Sequence, residues 1–294
     1  MHNLKFQKKA VLISFLFVPV AMLLLFVVYP ALKLLQLSFT DWDGLSKSLT
    51  YIGTGNYHNL LFKSPEVWTS LKNNWTYFYI HLLFIPVELL IAVLLDGKIR
   101  GSKFFKTVSF MPYILNGTAI AYIFSYFYSP MDGAFNAILQ HLGLGAIIQN
   151  WLSNENIVNY TLATVSIWRF AGLHIILFLA GLQSIPREIF EAAEVDGANF
   201  WHKFWKITLP SIGTVMEIIL FMNVRGALQV FDIPFLITSG GPGYASSTFT
   251  LYSIDTAFKF NSIGLASAMG ITLLFMIVVF SWLQKQIFNS KRYL

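Results

Sequence analysis

Six stretches of the chain are apolar over nearly their whole length. They run from about Val11 to Leu32, Trp75 to Leu95, Thr107 to Tyr128, Tyr160 to Leu182, Ile212 to Phe231 and Gly264 to Ile287. A helix needs about 20 mostly apolar residues to cross the hydrocarbon core of a bilayer, and lipid offers no partner for backbone polar groups, which makes helices the default. A barrel would alternate apolar and polar positions over segments of about ten residues; solid apolar runs stand here instead. The pattern predicts an all-α membrane protein with six transmembrane helices, residues 1–294 forming one membrane domain. The first run follows Lys5, Lys8 and Lys9, but it is too long for a signal peptide and no small-residue cleavage site follows it, so it reads as a retained span.

The polar stretches between the runs carry their own patterns. The segment from Lys33 to Asn74 is too long for a structureless link and predicts some ordered structure. Phe135, Ile138, Leu139 and Leu142 fall at helical spacing beside Asn136, Gln140 and His141. That is a short amphipathic helix, either lying on the membrane or offering a docking surface to an extracytoplasmic partner. Thr238-Ser239-Gly240-Gly241-Pro242-Gly243 predicts a tight non-helical turn, because Gly permits backbone conformations that other residues avoid and Pro removes a donor. The least lipid-like segment is Gln183–Pro210. Ser184 is placed to cap a helix, Pro186 suits its first turn, and Glu188 and Glu191 favour its positive end. Gly197 offers a break before a second helical stretch, Ala198 to Ile207. The predicted shape is helix, turn, helix.

Composition agrees with a bilayer setting. Of 294 residues, 12% are charged and 56% hydrophobic, about half the charge of a soluble domain. A soluble globular protein, a disordered chain and a nucleic-acid binder are all poor fits. There is no Cys, which excludes disulfides, thiolate metal sites and Cys nucleophiles. The net charge of +6 is explained by where it lies. Lys5, Lys8 and Lys9, then Lys98, Arg100, Lys103 and Lys106, then Arg187, Lys203 and Lys206, then Lys285, Lys291 and Arg292 all fall on one side of a six-span topology, whereas Ser129 to Asn159 holds no Lys or Arg. Positive residues mark the cytoplasmic side, so both termini are expected in the cytoplasm of a multi-pass protein of the bacterial cytoplasmic membrane.

Few charges remain inside the spans, and each is a functional candidate, because an ionisable group at bilayer depth costs about 2.5–3.5 kcal/mol or more. They are Glu88, Arg169, His174, Glu217, Arg225 and Asp232. The fifth span is richest, with Asn223, Arg225 and Gln229 and with Asp232 at its outer end. Arg225 and Gln229 are four apart and share a face, and Asp232 lies seven from Arg225. This polar stripe faces either a water-filled cavity or a hydrogen-bonded seam with another subunit. Glu88 follows Pro86, which is expected to kink the second span, and receives no role. His174 has no second ligand at suitable spacing and reads as a satisfied structural histidine.

Glu191-Ala192-Ala193, then Gly197 after three residues, then Ile207-Thr208-Leu209-Pro210 after nine more, match the signature of bacterial ABC import permeases at every fixed position. Phe110-Met111-Pro112-Tyr113, the Thr238–Pro242 turn, and Tyr252–Phe258 with Gly264-Leu265-Ala266-Ser267-Ala268 are similar to segments of the carbohydrate-uptake, maltose-type group. The resemblance covers nearly the whole chain, which looks like the compact six-span form without extra N-terminal spans or a large outer insertion. It implies a type I importer permease bundle with a cytoplasmic coupling helix. The implied partners are a second permease in a heterodimer, two ATPase subunits and an extracytoplasmic substrate-binding protein. No cofactor is expected on this chain; ATP and Mg²⁺ belong to the partner ATPase. Glu191, Ala192, Ala193, Gly197, Ile207, Leu209 and Pro210 would carry the coupling, with Glu191 capping or pairing with a basic group on the ATPase.

The same resemblance places Asn223, Tyr113, Gly117 and Ser166 on the substrate pathway. Tyr113, Trp168 and Phe170 would supply flat faces for sugar rings, and Arg225, Gln229 and Asp232 complete the expected pathway. Trp75, Trp151 and Trp282 read as interface anchors. No H-E-x-x-H, G-x-S-x-G or P-loop is present, so the chain is not expected to be an enzyme or to bind ATP or a metal. The expected function is a permease for a sugar or oligosaccharide. The alternatives are the same machinery importing a glycerol phosphodiester or a polyamine, a polytopic membrane enzyme, or a secondary carrier, which would show inverted repeats.

Overall fold

The computed structural model describes residues 2–97 and 99–291. Lys98 and Arg292, counted above among the cytoplasmic cations, lie outside the described residues. The helices are α1 (His2–Leu23), α2 (Tyr29–Leu37), α3 (Gly55–Phe62), α4 (Pro65–Asp96), α5 (Ser102–Ile114), α6 (Gly117–Phe127), α7 (Ala134–His141), α8 (Val158–Gln183), α9 (Arg187–Val195), α10 (Phe200–Lys203), α11 (Leu209–Ser211), α12 (Gly213–Gln229), α13 (Asp232–Thr238), α14 (Phe249–Phe258) and α15 (Ile263–Lys291). Among the described residues the only β pairing is a single bridge, Thr40 to Tyr51.

Four of the six apolar runs are continuous helices long enough to span a bilayer: Val11–Leu37, Pro65–Asp96, Val158–Gln183 and Ile263–Phe288. The third run is broken: α5 and α6 meet at 98°. The fifth is α12, 17 residues without a break, and it meets the preceding helical stretch Phe200–Ser211 at 68°. In the α5–α6 break Leu115 and Asn116 leave the helical region, and the Asn116 side chain accepts from the Thr118 N–H at 2.8 Å, capping α6 afresh. Two π turns, Leu24–Val28 and Phe204–Thr208, each end just before a proline, Pro30 and Pro210. A proline ring clashes with the carbonyl four residues back; widening the turn there lets the helix run on. Pro210 therefore lies inside a helical stretch that ends at Ser211, rather than just beyond its end. Pro86 likewise leaves α4 a single helix.

The chain forms two compact units, Met1–Ser64 with Ser253–Phe275, and Pro65–Tyr252 with Met276–Leu294. In the first, the long segment after the first span is ordered as expected. Asn56, buried at the start of α3, donates to the Ser38 and Thr40 carbonyls at 2.9 and 2.7 Å. Gly264 N–H donates to the Trp42 carbonyl, and a Cβ at Gly264 would meet the Thr40 carbonyl oxygen at 2.0 Å, so only glycine admits this backbone approach.

The second unit is built on α4 and α8. Ile85, Leu89, Ala92 and Leu95 of α4 meet Ile175, Phe178, Leu179 and Leu182 of α8 and Ile219 of α12 in one buried cluster. Association in lipid rests on close packing at small residues. Gly172 is the clearest case: a Cβ there would lie 1.8 Å from the Ser109 carbonyl oxygen of α5. α4 starts ten residues earlier than its apolar run, with Pro65 in its first turn and Glu66 at its positive end. The polar residues in this extension are used inward. Asn74 donates to the Ala227 and Leu228 carbonyls and accepts from Phe249 N–H. Asn73 donates to the Ser247 carbonyl, and Asn159 of α8 donates to Asn73 Oδ1 and to the Ala245 carbonyl. Three buried asparagines thus clamp the segment beyond the fifth span. The amphipathic α7 is seated on protein: Phe135 packs on Phe127, Tyr128 and Trp151, and Trp151 donates to Asn136. Trp151 is therefore a packing residue rather than an exposed anchor.

Candidate substrate cavity and the Gln183–Pro210 loop

A cavity of about 310 Å³ opens within the second unit, at the lower end of the range for small-molecule sites. α4 contributes Tyr77 and His81, α5 contributes Tyr113, and α8 contributes Ser166, Phe170, Leu173 and His174. Asn223, Arg225, Gly226 and Gln229 come from α12, and Asp232 opens α13. Tyr113 reaches the wall because α5 ends directly after it, and its ring lies edge-on to Phe170 at 6.0 Å. Seven of the nine pathway residues expected from the sequence meet here: Tyr113, Ser166, Phe170, Asn223, Arg225, Gln229 and Asp232.

The other two do not line it. Trp168 stands two residues from both Ser166 and Phe170, about 200° around the helix, and packs on Phe124 at 5.1 Å. Gly117 lies behind the wall, where a Cβ would sit 3.4 Å from both Arg169 Nη2 and Asp232 Oδ2. Asp232 is also not on one helical stripe with Arg225. α12 stops at Gln229, and the break at Val230 and Phe231 turns Asp232 toward α8, where it forms an ion pair with Arg169. Arg225 donates to Gln229 at 3.0 Å, as their spacing predicts.

Polar side chains of α4 and α8 are organised in pairs. His81 Nε2 lies 2.9 Å from Ser166 Oγ, and His174 Nδ1 lies 2.9 Å from Glu88 Oε2. Glu88 is wholly buried, which gives a partner to the histidine and a place to the carboxylate that lacked one on sequence. Tyr77 and His81 were missed from sequence because the span was started at Trp75 as a uniform apolar run; their spacing of four, with Glu88 seven further on, marks one polar face. Glu217 lies apart, in a different cleft with Lys285.

The Gln183–Pro210 segment is helix, turn, helix, with different caps from those expected. Ser184 Oγ donates back to the Gly181 carbonyl and closes α8, and Pro186 is the residue before α9. Asn199 caps α10 by accepting from His202 N–H. Gly197 has φ +77. Its N–H donates to the Glu194 carbonyl, and the Ala198 N–H donates to that of Ala193, the bonding pattern of a left-handed helix terminus. Lys203 Nζ reaches Glu194 Oε1 at 2.7 Å across the turn. This hydrogen bond first, and the lysine charge second, hold the Glu194 carboxyl below its ordinary value. Phe190, Phe204, Ile207 and Leu209 pack against the α4–α8–α12 cluster, whereas Glu191 and Ala192 are exposed. The motif thus divides into residues that fasten the loop to the membrane helices and residues left open. Among the described residues no group of acidic or histidine side chains is placed to hold a metal ion.

Residues 9–293 match the family described as binding-protein-dependent transport system inner membrane component. A probable ABC transporter permease protein of Bacillus subtilis, YurN, is 33% identical over 95% of this chain and 97% of its own length. The arabinooligosaccharides transport system permease protein AraP of the same organism is 32% identical over 98% of this chain and 92% of its own. In three dimensions the chain is similar to one from a bacterial ABC transporter that imports the acidic polysaccharide alginate. The TM-score is 0.85, with 24% identity and 97% of each chain covered.

Proposed function

This chain belongs to the family of binding-protein-dependent transport system inner membrane components, and from that premise we propose that it forms one half of the membrane pathway of an importer for a sugar or oligosaccharide. The carrying observation is the lining of the cavity. Tyr113 and Phe170 stand in its wall together with Ser166, Asn223 and Gln229, the combination of aromatic surface and hydroxyl-matching groups that a carbohydrate requires. The names of relatives such as AraP support the same substrate class.

The remaining parts follow the same logic. A membrane bundle senses ATP only through something rigid that projects from it. The Glu191–Pro210 loop is fastened by Ile207 and Leu209 and leaves Glu191 and Ala192 open, which suits docking on a separate ATPase and transmission of its closure as a rigid-body movement. ATP and Mg²⁺ bind on that partner. A second permease completes the cavity, two ATPase subunits lie below, and a binding protein delivers substrate from outside. Both termini lie in the cytoplasm, by the distribution of Lys and Arg.

Uptake by the assembled transporter tests the site. Ser166→Ala and Asn223→Ala should weaken uptake affinity while binding-protein-stimulated hydrolysis persists. Unaltered affinity and selectivity in both variants would take these residues out of the pathway.

A further inference from the structure

Of the Arg, Asp and Glu side chains at and next to the cavity, only Arg225 lacks an ionisable partner among the described residues. Asp232 is neutralised by Arg169 and Glu88 faces His174. Arg225 has as its partner only the neutral Gln229; among the described residues no carboxylate forms an ion pair with it. A guanidinium is cationic at any physiological pH. Arg225 stands twelve residues into α12, about 18 Å along its axis, and belongs to the wall that also carries Tyr113 and Phe170. Next to it, the space around Gly226 is open: a Cβ there would meet nothing within 4 Å. The Arg225 side chain is exposed, and an ionisable group that faces a water-filled cavity within a span marks a substrate pathway, so this guanidinium is open to an anionic group that enters the cavity.

We infer that Arg225 is an anion-binding subsite of the cavity and that the imported solute carries a negatively charged group, a uronate carboxylate or a phosphate ester. This rests on the carbohydrate reading above and narrows it. The planar fork of Arg225 accepts a carboxylate or phosphate bidentately, with Gln229 fixing its Nε. The rings of Tyr113 and Phe170 take the apolar face of the adjoining sugar unit. The Arg169–Asp232 pair keeps a second cation from competing for the same anion.

The test uses the complete transporter, with both permeases, the ATPases and the binding protein, in proteoliposomes. Three probe pools are offered separately: neutral oligosaccharides, oligouronides and glycerophosphodiesters. The wild type should accumulate an anionic pool. Arg225→Gln should reduce that uptake about tenfold or more, the range of a charge-assisted hydrogen bond, and Arg225→Lys, which keeps the charge without the fork, should fall between them. Both variants should still co-purify with the second permease. Uptake of glycerophosphodiesters alone, lost in Arg225→Gln, would keep the subsite and retire the carbohydrate reading. Uptake of neutral oligosaccharides alone would keep that reading and overturn the subsite. So would anionic uptake indifferent to Arg225→Gln, or loss of the second permease from that variant, since Arg225 would then be matched by the partner subunit. No uptake from any pool would overturn both.

Discussion

Nδ1 of His174 lies 2.9 Å from Oε2 of Glu88, and both side chains are sealed within the α4–α8 packing. Glu88 Oε1 has no hydrogen-bond partner among the described residues, so the carboxylate depends on the imidazole. Removing one partner strands the other without compensation, which costs about 3–5 kcal/mol in buried pairs. Glu88→Ala and His174→Ala should each lower the apparent melting temperature of the purified complex strongly. The double replacement Glu88→Met with His174→Leu should be milder than the sum of the two single losses. A double variant as unstable as that sum would mean the two side chains act independently.

Asn74 ties three backbone groups together from one position on α4. Its amide donates to the Ala227 and Leu228 carbonyls at 2.5 and 3.1 Å, and its Oδ1 accepts from the Phe249 N–H at 2.8 Å. Those carbonyls belong to the last turn of α12, which lacks intrahelical partners. Asn74→Ala leaves buried groups unsatisfied at about 1–3 kcal/mol each. Asn74→Asp should be at least as damaging, because it turns an acceptor-only side chain toward two carbonyls. Thermal unfolding of the two variants checks the order; an aspartate variant as stable as wild type would show that the amide orientation is wrong.

How much of this was legible in the sequence depends on what apolar content records. It records length along the chain, so the six runs fell on helices. It does not record direction, so the 98° bend at Leu115–Asn116 and the break before Asp232 were invisible in it. The local signal for the first bend was Asn116-Gly117, an amide placed to cap a new helix. Polar residues at a span end were read as loop, which hid Asn73 and Asn74, and the run from Trp75 was read as uniformly apolar, which hid Tyr77 and His81. The loop signature was legible in full because it is a spacing of residues whose roles are local: Gly197 for a left-handed turn, Ile207 and Leu209 for packing. Trp168 was misplaced because its neighbours in sequence line the cavity while the helix turns it away.

The bridge between Glu194 and Lys203 predicts a pH dependence confined to the Gln183–Pro210 loop. The folded carboxyl titrates below its ordinary 4.5. Its stabilisation is therefore fully present above about that pH and is lost as pH falls through the lower folded value. After correction for intrinsic rates, amide exchange at Asp196–Asn199 should be flat from pH 8 to about 5 and rise in acid. Glu194→Gln should show the acid level throughout, and salt should move wild type toward it, since the Glu194 carboxylate is exposed. Equal protection in Glu194→Gln and wild type at neutral pH would remove the bridge from the loop's ordering.

Gly197 joins the exposed helix α9 to the packed stretch that follows, and its φ of +77 is the conformation L side chains resist. A Cβ there would meet nothing within 4 Å, so any penalty comes from the backbone and none from crowding. This separates two explanations that are usually confounded. If the turn sets the angle at which α9 meets the ATPase, sensitivity should follow left-handed propensity and ignore size. Gly197→Asn, which tolerates that region, should retain most coupled uptake. Gly197→Ala should lose about 1–2 kcal/mol of the turn's stability, a roughly five- to thirtyfold shift in its population. Gly197→Val should be worse and should leave ATP hydrolysis running with little transport. Hydrolysis and uptake measured together in proteoliposomes give the ratio directly. Equal coupling in Gly197→Val and wild type would show that the turn can open without consequence, and would count against the loop as the link between the ATPase and the membrane helices.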